Sequence, residues 1–269
     1  MRKFGLHSRK GLGQHFLVDP SALEASVSAA ELSPRDVVVE IGPGLGVLTE
    51  ELATHASKVI AVEVDSQIAV ALESLLSSYP GVRVVNADIL QLNIADMLDS
   101  ETTSYKVVAN LPYYVASPII RRFLEAEVKP ERMVVMVQKE VADNMTAPPG
   151  KMSLLSVSVQ VYGNPSIVMG VPASGFHPSP KVDSAIVRID VYKTPRFSLQ
   201  AHDFFKVVRA GFSAPRKQLR NSLANGLSIE PSLAGDLING AGISPKRRAE
   251  TLSIAEWSDL CKIVNRELQ

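Results

Sequence analysis

The run Val37-Val38-Val39-Glu40-Ile41 stops at Gly42-Pro43-Gly44-Leu45-Gly46, and no other stretch restricts the fold of this chain as much. A short β-branched segment reads as a buried strand, and glycines at every second position allow a tight exit into a helix. The pattern then repeats. Further strands are expected at 58–64, 82–88, 106–110 and 133–138, with helices at 49–57, 67–77 and 119–126. A helix from about 21 to 30 precedes them, with Ser21 as its cap and Glu24 reaching back. Strands alternating with helices at this spacing predict an α/β fold with a doubly wound, mostly parallel sheet. Ligands of such sheets sit at the carboxyl ends of the strands.

Two later strands, 166–169 and 185–191, flank a Pro- and Gly-rich loop with no helical crossover, so antiparallel pairing is expected there. From Pro195 onward helices alternate with Gly, Ser and Pro. These patterns predict a first domain over 1–192, beginning with a basic, flexible segment (1–18), and a small all-helical domain over 193–269.

The chain has 269 residues, 46% of them hydrophobic, enough for a sizeable core. No apolar run approaches the roughly 18 residues that span a bilayer. The basic start leads into no apolar signal region, so export is not expected. The single cysteine, Cys261, permits no internal disulfide and no cysteine metal cluster, and fits a reducing cytoplasm. Net charge is zero but unevenly spread. Residues 1–18 hold four Lys/Arg and no acid, residues 19–192 hold 12 against 21, and residues 193–269 hold 12 against 7. Such ends can grip a polyanion while the acidic middle accepts a cationic cofactor such as the sulfonium of S-adenosylmethionine, although surface imbalance of this size is also common.

Candidate site residues cluster at expected strand ends. Gly42 and Gly44 let a backbone approach a ligand, but their Gly-x-Gly-x-Gly spacing departs from the dinucleotide pattern. Glu63, about twenty residues on, is suited to ribose hydroxyls. Asp88 is suited to a nucleoside's exocyclic amine and equally to capping a helix. Asn110-Leu111-Pro112-Tyr113 is the most specific group. The N6 lone pair of adenine is delocalised and weakly nucleophilic. Two acceptors, the Asn110 side-chain oxygen and the Leu111 carbonyl, favour a pyramidal nitrogen and stabilise positive charge arriving there. Pro112 fixes the turn, and Tyr113 can stack on the base for roughly 1–3 kcal/mol. The loop 176–184 can present Phe176 to the base's other face, although most aromatic residues are core. Basic clusters at Arg9-Lys10, Arg121-Arg122, Arg216-Lys217 with Arg220, and Lys246-Arg247-Arg248 are candidates for phosphate contact.

The chain resembles the ribosomal RNA adenine N6,N6-dimethyltransferase family, in particular the bacterial branch acting on small-subunit rRNA. The resemblance runs from about Gly11 to the C-terminus. It rests on Gly13-Gln14-His15-Phe16-Leu17, Glu40 through Gly46, Glu63-Val64-Asp65, Asn110 through Tyr113, Phe176 through Ser184, and Arg247-Arg248-Ala249-Glu250-Thr251-Leu252. It implies a class I, Rossmann-like methyltransferase binding S-adenosylmethionine through His15, Leu17, Gly42, Glu63, Asp88 and Asn110. Adenine is then held by Asn110, Leu111, Tyr113 and Phe176. It further implies a cytoplasmic monomer, without metal or membrane, that dimethylates two adjacent adenines near the 3′ end of small-subunit rRNA in a pre-ribosomal particle. His15 stands where many relatives have Asn. Large-subunit methylases of the same family usually carry Ile where this chain has Leu111. Two other readings compete: an NAD-dependent oxidoreductase, which has no use for Asn-Leu-Pro-Tyr, and a non-catalytic RNA-binding assembly factor.

Overall fold

A computed structural model describes residues 15–99, 102 and 104–268. In chain order the elements are β1 (Phe16–Leu17), α1 (Pro20–Ala30), β2 (Val37–Ile41), α2 (Val47–His55), β3 (Lys58–Glu63), α3 (Ser66–Leu75), β4 (Val82–Asn86), α4 (Ile94–Met97), β5 (Lys106–Asn110) and α5 (Ala116–Glu125). There follow β6 (Arg132–Gln138), α6 (Lys139–Met145), α7 (Leu154–Gln160), β7 (Gly163–Val171), β8 (Phe176–His177), β9 (Ser184–Val191), α8 (Ala201–Gly211), α9 (Leu219–Leu227), α10 (Pro231–Gly240) and α11 (Ile254–Leu268).

Seven strands form one sheet in the order β4-β3-β2-β5-β6-β9-β7. β4 through β6 run parallel, and β9 pairs antiparallel with β6, Gln138 lying opposite Ser184. The central strands are buried on both faces: Val38, Val39, Ile60, Ala61, Val107 and Val108 are inaccessible to solvent. Each Val or Ile so buried contributes about 1.5–3 kcal/mol, which is why these strands read as unbroken apolar runs. From β2 the chain winds out to β3 and β4, then returns to add β5 on the other side of β2. The strand order therefore reverses between β2 and β5, where open α/β sheets leave a crevice. β5 is fixed at its lower end by Lys106, whose Nζ donates to Asp36 Oδ2 (2.9 Å) and the Glu31 carbonyl (2.7 Å).

The chain divides into two compact units. One takes the described residues up to Ala142 with Asn164–Tyr192; the other takes Asp143–Gly163 with the described residues from Lys193 on. The expected boundary near 193 thus omits a segment, since 143–163, carrying α7, groups with the helices. That grouping has a packing cause: Tyr162 meets Phe197 and Phe205 in an aromatic cluster that includes Phe204. Within the helical unit α9 crosses α8 closely at Gly226, where a Cβ would lie 2.4 Å from Ala210 Cα. Two local expectations differ from the structure. Asp19, not Ser21, caps α1, its Oδ1 accepting the Ser21 and Ala22 amides, because Pro20 moves the helix start back by one residue. Helix α5 starts at Ala116 rather than near 119, without a side-chain cap, because it continues the 3-10 turn Tyr113–Val115.

Candidate active site

At the reversal between β2 and β5 the strand ends enclose a cavity of about 380 Å³, within the roughly 300–1,000 Å³ range of small-ligand sites. The glycine turn forms one wall, with positive φ at Gly42 (67°), Gly44 (56°) and Gly46 (85°). A Cβ on Gly42 would lie 3.9 Å from the Asn110 carbonyl and Pro112 Cδ, so the turn directly faces the Asn110–Tyr113 segment. A Cβ on Gly44 would lie 3.1 Å from the Phe16 ring, because β1 crosses over the turn. Leu17, beside Phe16, lines the same cavity.

Three carboxylates reach this wall. Glu63, ending β3, is buried, and its Oε1 accepts the Asp65 amide at 2.9 Å. Burial raises its pKa, while the Asp65 and Gly44 amides oppose the rise. Asp88 lines the cavity and also caps the following turn, its Oδ1 accepting the Leu90 amide at 2.9 Å. The capping reading of Asp88 thus holds, at a residue that also lines the cavity. Glu40, which the sequence pattern did not single out, projects from β2 into the cavity lining at 1% exposure. Burial, with the field of Glu63, pushes its carboxyl up to about 8, and among the described residues its Oε2 has no partner. A charged residue inside a β-branched run was the available signal.

The opposite wall is Asn110, Leu111 and Tyr113. Asn110 Nδ2 donates to the His15 carbonyl at 3.3 Å. A carbonyl only accepts, so the amide nitrogen faces His15 and Oδ1 is left as the free acceptor end. Leu111 buries its side chain and donates its amide to the Met136 carbonyl at 3.1 Å, continuing the ladder of β5 with β6. The Tyr113 hydroxyl bonds Ser184 Oγ at 2.7 Å, and the His15 ring stacks on Tyr113 with centroids 5.8 Å apart. Ser184 lies about seventy residues away, and nothing local pointed to it.

Phe176 does not join this wall. It is 2% exposed, lies opposite Leu17 in the β1–β8 pair and packs into the core with Ala22 and Val27. The aromatic side chain against Tyr113 is His15 instead. The basic candidates also divide. Arg9 and Lys10 lie outside the described residues. Arg121 pairs with Glu125 at 2.8 Å, and Arg122 turns inward to donate to the Leu92 carbonyl. Arg247 is likewise structural, binding Thr251 Oγ1 (3.1 Å) and Glu256. Arg216, Lys217, Arg220, Lys246 and Arg248 are exposed.

The family described as Ribosomal RNA adenine dimethylase matches residues 5–266. The chain belongs to that family. Within its class, a relative from Dehalococcoides mccartyi named Ribosomal RNA small subunit methyltransferase A is 52% identical, covering 97% of this chain and 90% of the relative. One of the same name from Alkaliphilus oremlandii is 40% identical over 100% of this chain and 96% of its own length. Among solved structures, a dimethyladenosine transferase from Plasmodium falciparum aligns with TM-score 0.80 at 25% identity, covering 94% of this chain and 98% of the other. The 23S rRNA methyltransferase ErmE aligns with TM-score 0.72 at 29% identity, covering 93% and 99%. The fold is therefore that of class I methyltransferases, and this adenine dimethylase uses S-adenosylmethionine.

The residues present fit that cofactor. The glycine turn offers a cradle that a Cβ at Gly42 would narrow, and Glu63 and Asp88 supply acceptors at successive strand ends for a nucleoside. The carboxylates of Glu63 and Asp88 also suit a cationic ligand better than a pyrophosphate.

Proposed function

We propose that this chain dimethylates N6 of two adjacent adenines near the 3′ end of small-subunit ribosomal RNA, working as a monomer on an immature small subunit. The names of its 40–52% identical relatives support the small-subunit target over the large-subunit one, since ErmE is only 29% identical. The observation that carries the reading is the orientation of Asn110, whose Nδ2 is spent on the His15 carbonyl so that, among the described residues, Oδ1 remains as an acceptor.

When bound, S-adenosylmethionine supplies a methyl group made electrophilic by its sulfonium. The residues of this chain prepare the nucleophile. Asn110 Oδ1 and the Leu111 carbonyl accept hydrogen bonds from the two N6–H groups of the unmethylated amine, drawing the nitrogen's lone pair out of the ring and stabilising the charge that forms on it until one N6 proton is lost to solvent with each methyl gained. Tyr113, fixed by Ser184, provides a flat face for a base unstacked at a cost of a few kcal/mol. Glu63 and Asp88 hold the nucleoside end of the cofactor, and the turn at Gly42 and Gly44 keeps its backbone close without a side chain in the way.

Phosphate contact is assigned to the helical unit. The Leu219 amide donates to the Arg247 carbonyl (2.6 Å) and the Arg220 amide to the Pro245 carbonyl (3.3 Å), so the 216–220 and 246–248 clusters lie side by side. Five exposed cations then share one surface, which suits a polyanion. Mass spectrometry of RNA from immature and mature small subunits, after incubation with labelled cofactor, tests the whole reading. Two neighbouring dimethyladenosines, formed faster on the immature particle, are expected. Label confined to large-subunit RNA would overturn it.

A further inference from the structure

The loop-side wall of the cavity raises a question that the acceptor pair alone does not answer: what keeps Asn110 and Tyr113 in register with each other. Both meet one residue. His15 uses its main-chain carbonyl to take the Asn110 Nδ2 proton at 3.3 Å, its ring to stack on Tyr113 at 5.8 Å and 23°, and its Nδ1 to reach the Pro178 carbonyl at 2.7 Å. The residue is itself held in place, because Phe16 and Leu17 immediately after it pair with His177 and Phe176.

We infer that His15 is the positioning residue of the base-holding wall: its ring, locked by Pro178, clamps one face of Tyr113 while its carbonyl sets the Asn110 amide. The role rests on the reading above and reaches further than the cofactor contact implied by family resemblance. The argument is one of hydrogen-bond inventory. Two carbonyls, of His15 and Pro178, can only accept, so each fixes the polarity of the group facing it. Nδ1 must carry the proton, which fixes the tautomer and the plane of the ring. Asn110 must present Oδ1 away from His15. With its hydroxyl tied to Ser184, Tyr113 is then held at its tip and on one face, and a base is received on the other.

The test compares the full-length wild type with His15→Ala, His15→Asn and His15→Phe. Four quantities are measured: kcat on small-subunit RNA, cofactor Kd by calorimetry, melting temperature, and the fluorescence of RNA carrying 2-aminopurine at the first target adenine. The fluorescence needs no methyl transfer, because stacking alone quenches the base. We expect kcat to fall about five- to tenfold in His15→Ala and His15→Asn, and to stay within about twofold in His15→Phe, which keeps the ring. Quenching should follow the same order, with melting temperature unchanged and the loss in kcat persisting at saturating cofactor whatever the change in cofactor Kd. The inference is overturned if His15→Asn matches wild type, if His15→Phe falls as far as His15→Ala, or if the loss lies wholly in cofactor Kd or in melting temperature. A wild type that methylates no small-subunit adenine would instead remove the underlying reading, and the quenching series would still decide whether the ring positions a base.

Discussion

The two walls of the cavity are built differently. On the wall proposed for the cofactor, Glu63 closes β3 while Gly42 and Asp88 follow β2 and β4, and the side-chain contacts are shorter in range: Glu63 and Asp88 each bind the amide two residues on, and Glu63 also meets the Gly44 amide. On the base side, each defining contact joins distant segments, His15 to Asn110 across 95 residues, Tyr113 to Ser184 across 71, and His15 to Pro178 across 163. Local walls follow from strand order. The distant one exists only once β1, β5 and the 176–184 loop have converged, so single substitutions there should impair chemistry more than cofactor binding.

The largest expected effect tests that asymmetry directly. Asn110→Ala should lower kcat about 10²- to 10³-fold, as for loss of one preorganised hydrogen-bonding group, while cofactor Kd measured by calorimetry changes little. Normal turnover would remove the acceptor role. Next, Tyr113→Ala should reduce kcat/KM on RNA by about 10- to 100-fold through the missing stack, and Ser184→Ala by less, because it only frees the hydroxyl. An equal loss from both would mean that position, not the aromatic face, is what matters.

On the cofactor side, Glu40 makes stability depend on pH. Its folded pKa, about 8, exceeds the ordinary carboxyl value, so the folded state binds the proton more tightly than the unfolded one. The stabilisation is complete below the unfolded pKa and is lost as pH rises through about 8. The cofactor-free protein should melt several degrees lower at pH 8 than at pH 5, and Glu40→Gln should flatten most of that slope. A wild-type curve with no fall over this range would contradict the buried acid. Gly44→Ala adds a Cβ at positive φ and against the Phe16 ring, at an expected cost of about 1–2 kcal/mol in stability together with weaker cofactor binding. Unchanged cofactor Kd would show that the cradle tolerates a side chain. Smallest of all, Arg216→Ala with Lys217→Ala should lower the salt dependence of RNA binding by about one unit of slope for each phosphate left without its cation. Arg247→Ala should instead lower melting temperature, since its guanidinium ties the Ala249–Thr251 turn to Glu256.

The parallel core was legible because β2, β3 and β5 are buried on both faces, which leaves mostly apolar, β-branched side chains along each run, with Glu40 the exception. Glu63 and Asn110 were legible for the same reason, as polar residues that close apolar runs, whereas Gly42 stands just after β2 and Asp88 two residues past the end of β4. Helix α7 was not assigned, because Leu154–Gln160 alternates Leu, Val, Ser and Gln without a clear stripe, and its Ser153–Ser156 capping box uses two serines rather than an acid. Phe176 was expected at the base and is in the core. Its ring was recognisable as apolar, but the face it meets depends on β1 pairing with β8, which no local pattern announces. The same limit applies to Arg122 and Arg247, whose inward turn depends on carbonyls and carboxylates supplied by other segments.

Local physics, namely burial, turn chemistry and strand ends, was enough for the sequence alone to determine the parallel strands and the glycine turn, and the resemblance of its motifs gave membership of an adenine-methylating family. The partner of Tyr113, the orientation of the Asn110 amide, the raised pKa of Glu40 and the joining of two basic clusters were decided by tertiary structure. Each depends on segments far apart in the chain meeting, and an interaction of that kind has no energy until the fold has brought its two ends together.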